Sequence, residues 1–117
     1  MENNNQIIHQ KEESKSFDGD EKYFSRNVKV NMLFEATPSM CFSGALVSFE
    51  KGARTAWHTH PKGQRLIVTE GVGYTQEWGK PIQIFQKSDT IICSPNIKHW
   101  QEASKYLGVL YFTHKSR

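Results

Sequence analysis

Cysteine is scarce in this chain of 117 residues: only Cys41 and Cys93 occur, far apart and without a CxxC pair. That pattern argues against a disulfide-stapled scaffold and against a closed, thiolate-rich structural zinc site. It fits reduced thiols in a cytosolic protein. No apolar run approaches the ~20 residues of a membrane span. The first residues are polar and lack the apolar core of a signal peptide, so a cytoplasmic location without membrane attachment is expected. Neither sign of charge dominates: 15 Lys and Arg face 12 Asp and Glu, for a formal net charge of +3. The positive residues are scattered, so no nucleic-acid partner is expected. No segment carries a helical period of useful length, and no solenoid repeat is visible.

Short strands and turns fill the chain instead. Residues 1–19 are rich in Asn, Gln, Lys and Glu and read as a flexible tail, or as one whose Gln6–His9 segment pairs with a neighbouring subunit. Residues 20–117 read as a single domain. Strands are expected at Val28–Phe34, Phe42–Phe49, Arg54–Thr59, Arg65–Thr69, Gly71–Trp78, Ile82–Phe85, Thr90–Cys93, His99–Ala103 and Leu107–Thr113. Glu50-Lys51-Gly52, Pro61-Lys62-Gly63, Gly79-Lys80-Pro81 and Ser94-Pro95-Asn96 supply turns between them. Such even spacing indicates an all-β sandwich or barrel.

The stretch Gly52–Gly71 organises the rest. His58 and His60 are two apart, so on a strand they share a face. Pro61, Lys62 and Gly63 turn the chain, and Gln64 opens a β-branched run. Folded together, two imidazoles and one amide oxygen face a common point, a group suited to a divalent metal. A further ligand must come from elsewhere. His99 stands in a similar strand-and-turn context, and His114 is its rival. A solvated role is expected for His9 in the polar tail. By parity Ala56 shares the inward face with the histidine pair, Leu66 and Val68 share it with Gln64, and Ile97, Gln101 and Ala103 share it with His99. Trp57, Thr59 and Trp100 then face the other way.

The pattern Gly52-x5-His58-x-His60-x3-Gln64-x6-Gly71 resembles the first motif of the cupin superfamily, with Gln64 in place of the usual Glu. Ser88-Asp89, Pro95 and His99 resemble the second motif, with Ser88 for the opening Gly, Ala103 for the closing Asn and one residue fewer between Pro95 and His99. The resemblance implies a double-stranded β-helix, or jelly-roll, barrel, with His58, His60, Gln64 and His99 as metal ligands. Within the superfamily the chain is most similar to small single-domain bacterial cupins that carry GARTAWHTHPxGQ and SPxxKHW, matched here by Gly52–Pro61, Gly63, Gln64 and by Ser94, Pro95, Lys98, His99 and Trp100. Some of these are manganese-dependent hydroxynitrile lyases, which make or break a carbon–carbon bond between cyanide and an aldehyde. Two further histidines of their pocket correspond here to Gln101 and Tyr111. Neither is a base near neutral pH.

Three neutral imidazoles and an amide leave a divalent ion its full charge, so open positions favour anions and acidify a bound oxygen. Manganese is the ion the resemblance implies, and the donor set also suits Fe, Ni, Co or Zn. The expected function is a metal-dependent enzyme that uses the ion as a Lewis acid on a small oxygenated substrate, with Tyr111, Gln101 and Thr55 as polar pocket groups. A cupin dioxygenase and a non-catalytic small-molecule-binding module are the alternatives. A homodimer is expected, because Leu66, Val68 and the outward Ile67 place apolar groups on both faces of one strand.

Overall fold

Alternation between buried and exposed side chains is plainest along Gln64-Arg65-Leu66-Ile67-Val68, where the first, third and fifth residues are buried and the others exposed. One face of this strand therefore lines an interior, as the parity of Gln64 requires. The computed structural model describes residues 6–115 of the chain.

A single 3-10 turn at Lys11–Glu13 precedes the strands β1 (Lys15–Asp18), β2 (Phe24–Ser25), β3 (Val28–Phe34), β4 (Phe42–Phe49), β5 (Arg54–Thr55), β6 (Gln64–Glu77), β7 (Gln83–Gln86), β8 (Thr90–Cys93) and β9 (His99–His114). All pairings are antiparallel, and one path runs β1-β3-β4-β9-β5-β2. β6 pairs with β7, β8 and β9. The sheet curls into the all-β jelly-roll barrel. Among the described residues no helix is long and apolar enough to cross a membrane.

β9 is the spine. One edge pairs with β6 along most of its length, and the other pairs with β4 and then β5. The sequence suggests two strands on either side of Lys105, but the chain runs through as one of 16 residues. β6 likewise runs through Gly71 and Gly73 as one strand of 14 residues. The bend expected at these glycines is present as register shifts between Val68 and Glu70 and between Gly71 and Gly73. Bulges of this kind bend a strand without ending it. Gly71 has φ +83°, and a Cβ there would collide with the Tyr106 carbonyl, so only glycine fits. Phe49, Leu66, Val68, Leu107 and Val109 are fully buried at the core. At about 25 cal/mol per Å² of apolar surface, residues of this type supply most of the folding drive.

Two strand expectations need correction. Arg54–Thr59 is a strand only at Arg54–Thr55. Beyond it the Ala56 N–H donates to the Tyr23 carbonyl at 2.6 Å, and Pro61 has no N–H to extend a ladder. Ala56 is accordingly exposed rather than inward. In the N-terminal segment, Lys15–Asp18 pairs within the chain, from Lys15 opposite Met32 to Asp18 opposite Lys29. Backbone pairing at a sheet edge needs no apolar pattern, so KSFD gave no sign of it. Residues 1–5 lie outside the described residues.

Candidate metal centre

His58 and His60 sit on the connection between β5 and β6. His58 pairs with His99 through two main-chain bonds of 3.0 Å, which pin the loop to the start of β9. The Gly63 N–H donates to the His60 carbonyl at 3.0 Å and closes the turn. Gly63 has φ +84°, and a Cβ there would press on the Cys93 carbonyl. Gln64 then opens β6, in register with Cys93 of β8 on one side and Thr113 of β9 on the other.

The three imidazoles converge. One ring nitrogen from each of His58, His60 and His99 lies within 4.8 Å of the others. His58 Nδ1 is 2.6 Å from the Ala56 carbonyl, which only a protonated Nδ1 can satisfy, so Nε2 keeps its lone pair. His60 Nε2, His99 Nε2 and Gln64 Oε1 are buried with no hydrogen-bond partner. Such orphans cost about 1–3 kcal/mol each, and their concentration here fits a cation. The other end of the Gln64 amide is held, because its NH₂ donates to Thr113 Oγ1 at 3.0 Å.

Burial pushes His60 and His99 down to about 4, with the neighbouring imidazoles adding to the effect. Burial also lowers His58, against the Ala56 carbonyl bond that raises it. The cluster is therefore neutral near pH 7, the state in which imidazole binds metal. Beside it lies a cavity of about 380 Å³, bordered by His58, His60, Gln64, Thr55, Tyr111 and Lys115 among others. Among the described residues no carboxylate borders it, and Lys115 is the charged group at its edge.

Thr55 and Tyr111 both border the cavity. Gln101 is fully buried in the wall behind them. Its N–H donates to Thr55 Oγ1 at 3.0 Å, and Tyr111 donates to its Oε1 at 3.3 Å. His114 is exposed beside a separate depression with Lys62 and Arg65, and His9 is exposed. Sequence reasoning missed Thr113 and Cys93, whose Sγ is 3.2 Å from His99 Nδ1. Only the register across β6, β8 and β9 brings them to the site, and no motif marks them.

The outer face of the same strands is different in kind. Trp57 packs edge-on against Trp78 at 5.0 Å and Trp100 at 6.2 Å. Arg54 lies over Trp100 and Lys98 over Trp78. Trp57 and Trp100 thus face away from the histidines, as parity requires.

Two likenesses decide the family. Over 99 residues the chain is 39% identical to a protein of Granulicella tundricola named (R)-mandelonitrile lyase, covering 85% of this chain and 76% of the relative. It is 36% identical to a cupin-like protein of Thermotoga maritima whose structure superposes with a TM-score of 0.79, over 95% of this chain and 82% of the other. The chain belongs to the cupin family. Among its cupins it resembles the small bacterial, hydroxynitrile lyase-like ones. A Thermotoga maritima protein titled a predicted oxalate decarboxylase superposes at TM-score 0.81 and 14% identity, over 94% of this chain and all of that one, and so shares the fold alone. No family model matches the chain. The cupin thus carries a three-histidine cluster able to hold a metal ion.

Proposed function

We propose that this cupin is a metal-dependent enzyme in which His58, His60, Gln64 and His99 hold one divalent transition metal ion, manganese in the first instance. The observation that carries the reading is the set of buried, unpartnered donors His60 Nε2, His99 Nε2 and Gln64 Oε1 beside the lone pair of His58. When bound, the ion supplies Lewis-acid polarisation of a substrate oxygen. The protein's own groups do the rest. The cavity beside the cluster takes a small oxygenated molecule or an anion, and Lys115 at its edge favours negative charge. Thr55 and Tyr111 offer hydroxyls to the ligand. Burial holds the Tyr111 phenol far above its ordinary value, so it donates a hydrogen bond and does not act as a base. Identity to a protein named (R)-mandelonitrile lyase supports carbon–carbon lyase chemistry on a cyanohydrin or its aldehyde.

Elemental analysis of protein purified without chelator tests the ligand set. One manganese or related ion per chain is expected, and its loss in His58→Ala. Full occupancy in that variant refutes the assignment. Release of aldehyde from mandelonitrile by the loaded protein is the expected activity. Stoichiometric metal with tight azide binding but no turnover marks a binding module instead.

The exposed Ile67, Ile84 and Ile92 on β6, β7 and β8 support a homodimer. Light scattering at micromolar concentration is expected to give twice the 13.5 kDa chain mass. The monomer mass overturns it.

A further inference from the structure

Gln101 occupies an unusual place. It is completely buried, and among the described residues its side chain has two hydrogen-bond partners, one of which belongs to the histidine cluster. Its NH₂ lies 3.0 Å from His99 Nδ1. Its Oε1 accepts from the Tyr111 hydroxyl at 3.3 Å. The residue itself is fixed, because Thr55 Oγ1 holds its backbone N–H. An amide has a donor end and an acceptor end of nearly the same shape. It can therefore turn end for end in this slot without changing the packing around it.

The direction of each bond is set by where His99 keeps its proton. With the NH₂ donating, Nδ1 is the acceptor and the ring proton sits on Nε2. That is the atom facing the cluster, and it has no partner there. Resting on the ligand set proposed above, metal binding needs the Nε2 lone pair. The single ring proton then leaves Nε2 and, by exchange with water, appears on Nδ1. Left as it stands, the amide would set NH₂ against N–H. Turned over, Oε1 accepts from Nδ1–H, and the NH₂ reaches Tyr111 Oη and donates to it. The hydroxyl hydrogen of Tyr111 is thereby released from Gln101. Tyr111 borders the cavity, so its free O–H is available to a ligand there.

The geometry points to Gln101 as a positioning residue that couples the metal centre to Tyr111: loading His99 reverses the amide and converts Tyr111 from a donor to Gln101 into a donor to the oxygen or anion bound in the cavity. The number of hydrogen bonds within the wall is the same in both settings, so the switch costs little. Reciprocity follows: a ligand that accepts from Tyr111 strengthens metal binding by the same factor by which the metal strengthens its own. Cys93 is the rival partner of His99 Nδ1 at 3.2 Å. Burial pushes its thiol up to about 11, so it stays protonated, and its sulfur is a weak acceptor beside an amide oxygen.

Zinc is a diamagnetic probe that reads each step without turnover. In ¹⁵N-labelled full-length protein, one equivalent of zinc is expected to move the His99 ring proton from Nε2 to Nδ1 and to shift the Gln101 side-chain amide protons with it. Gln101→Leu is expected to weaken zinc binding about 10–100-fold, and Gln101→Glu to restore it, since a carboxylate also accepts from Nδ1–H. Cys93→Ala is expected to weaken it less than Gln101→Leu. Tyr111→Phe is expected to bind zinc within about threefold of the parent and to bind azide at the loaded site about tenfold more weakly. Zinc bound at one equivalent with His99 still protonated on Nε2 overturns the coupling alone. So does azide binding that is equal in the parent and Tyr111→Phe. Stoichiometric zinc binding that survives His58→Ala overturns the ligand set and the coupling with it.

Discussion

β9 presents two contrasting faces within four residues. His99 and Gln101 point inward, and Trp100 and Glu102 point outward. Outside, the polar groups are matched: Arg54 bonds Glu102 at 2.6 Å, and Trp100 Nε1 donates to Gln76 at 3.1 Å. Inside, three ring or amide atoms are buried with nothing to bond. Solvent can repair an imperfect outer face, whereas an inner face has no such remedy. Outer polarity therefore reports on packing, and the unmatched inner donors of the histidine cluster mark a place able to hold a cation.

Metal removal is the strongest test of that contrast. At free metal about 1,000 times Kd, loading adds about 4 kcal/mol to stability, or on the order of 15 °C in Tm. Chelator is expected to reverse this in a thermal melt while the outer tryptophan fluorescence stays native at 25 °C. A melt indifferent to metal means that the inner donors are not ligands.

Adding charge inside is the next largest change. Gln64→Glu places a carboxylate among neutral donors. It is expected to weaken azide binding by about 1–4 kcal/mol while metal binding holds or tightens. Equal azide titrations of the loaded parent and variant would show that residue 64 does not set the charge of the centre.

Acid probes the inner face without mutation. His60 and His99 are held at about 4, below the ordinary 6.5, so the unfolded chain takes up protons that the folded chain refuses. Metal-free stability is thus full above about pH 6.5 and falls as pH drops toward 4. The slope approaches about 1.4 kcal/mol per pH unit for each histidine. Urea midpoints of the metal-free protein that match at about pH 7.5 and 4.5 would mean that water reaches the cluster freely.

The smallest effect is expected outside. Arg54 is exposed, and its pair with Glu102 and Trp100 is worth about 1 kcal/mol or less. Arg54→Ala should lower the urea midpoint slightly and leave manganese affinity alone. A large loss of metal binding would show that the two faces are not independent.

Sequence revealed the site better than the connections. Phe42–Phe49 and Thr90–Cys93 are bounded by turn residues and run as expected. Gly71, Gly73 and the Lys105-Tyr106 pair look like breaks, but β6 and β9 pair on both sides of them, Gly73 with Ala103 and Gly71 with Leu107, across a shift in register. The three histidines converge although His58 and His60 are not on a strand, because the loop is tied to His99 by its main chain. Parity thus points to the cluster by a route the fold does not use, and it misplaces two residues: Ala56, expected inward, is exposed where the strand ends, and Thr59, expected to face away, borders the cavity with the histidines. Tyr111 and Thr113 meet the site only through pairings of β9 with β4 and β6, a relation no local pattern encodes.

β9 has a kinetic consequence. It carries His99, Gln101, Tyr111 and Thr113 on one strand paired with β6 on one edge and, over Leu107–His114, with β4 on the other. In hydrogen exchange its amides should be among the slowest, opening only when the barrel does. His58 and His60 ride instead on a short loop tied by a few main-chain bonds. Of the four proposed ligands, His99 on β9 and Gln64 on β6 are thus as durable as the fold, and His58 and His60 are as quick as a loop. Metal should enter and leave at the pace of that loop, many times within the lifetime of a single folded molecule.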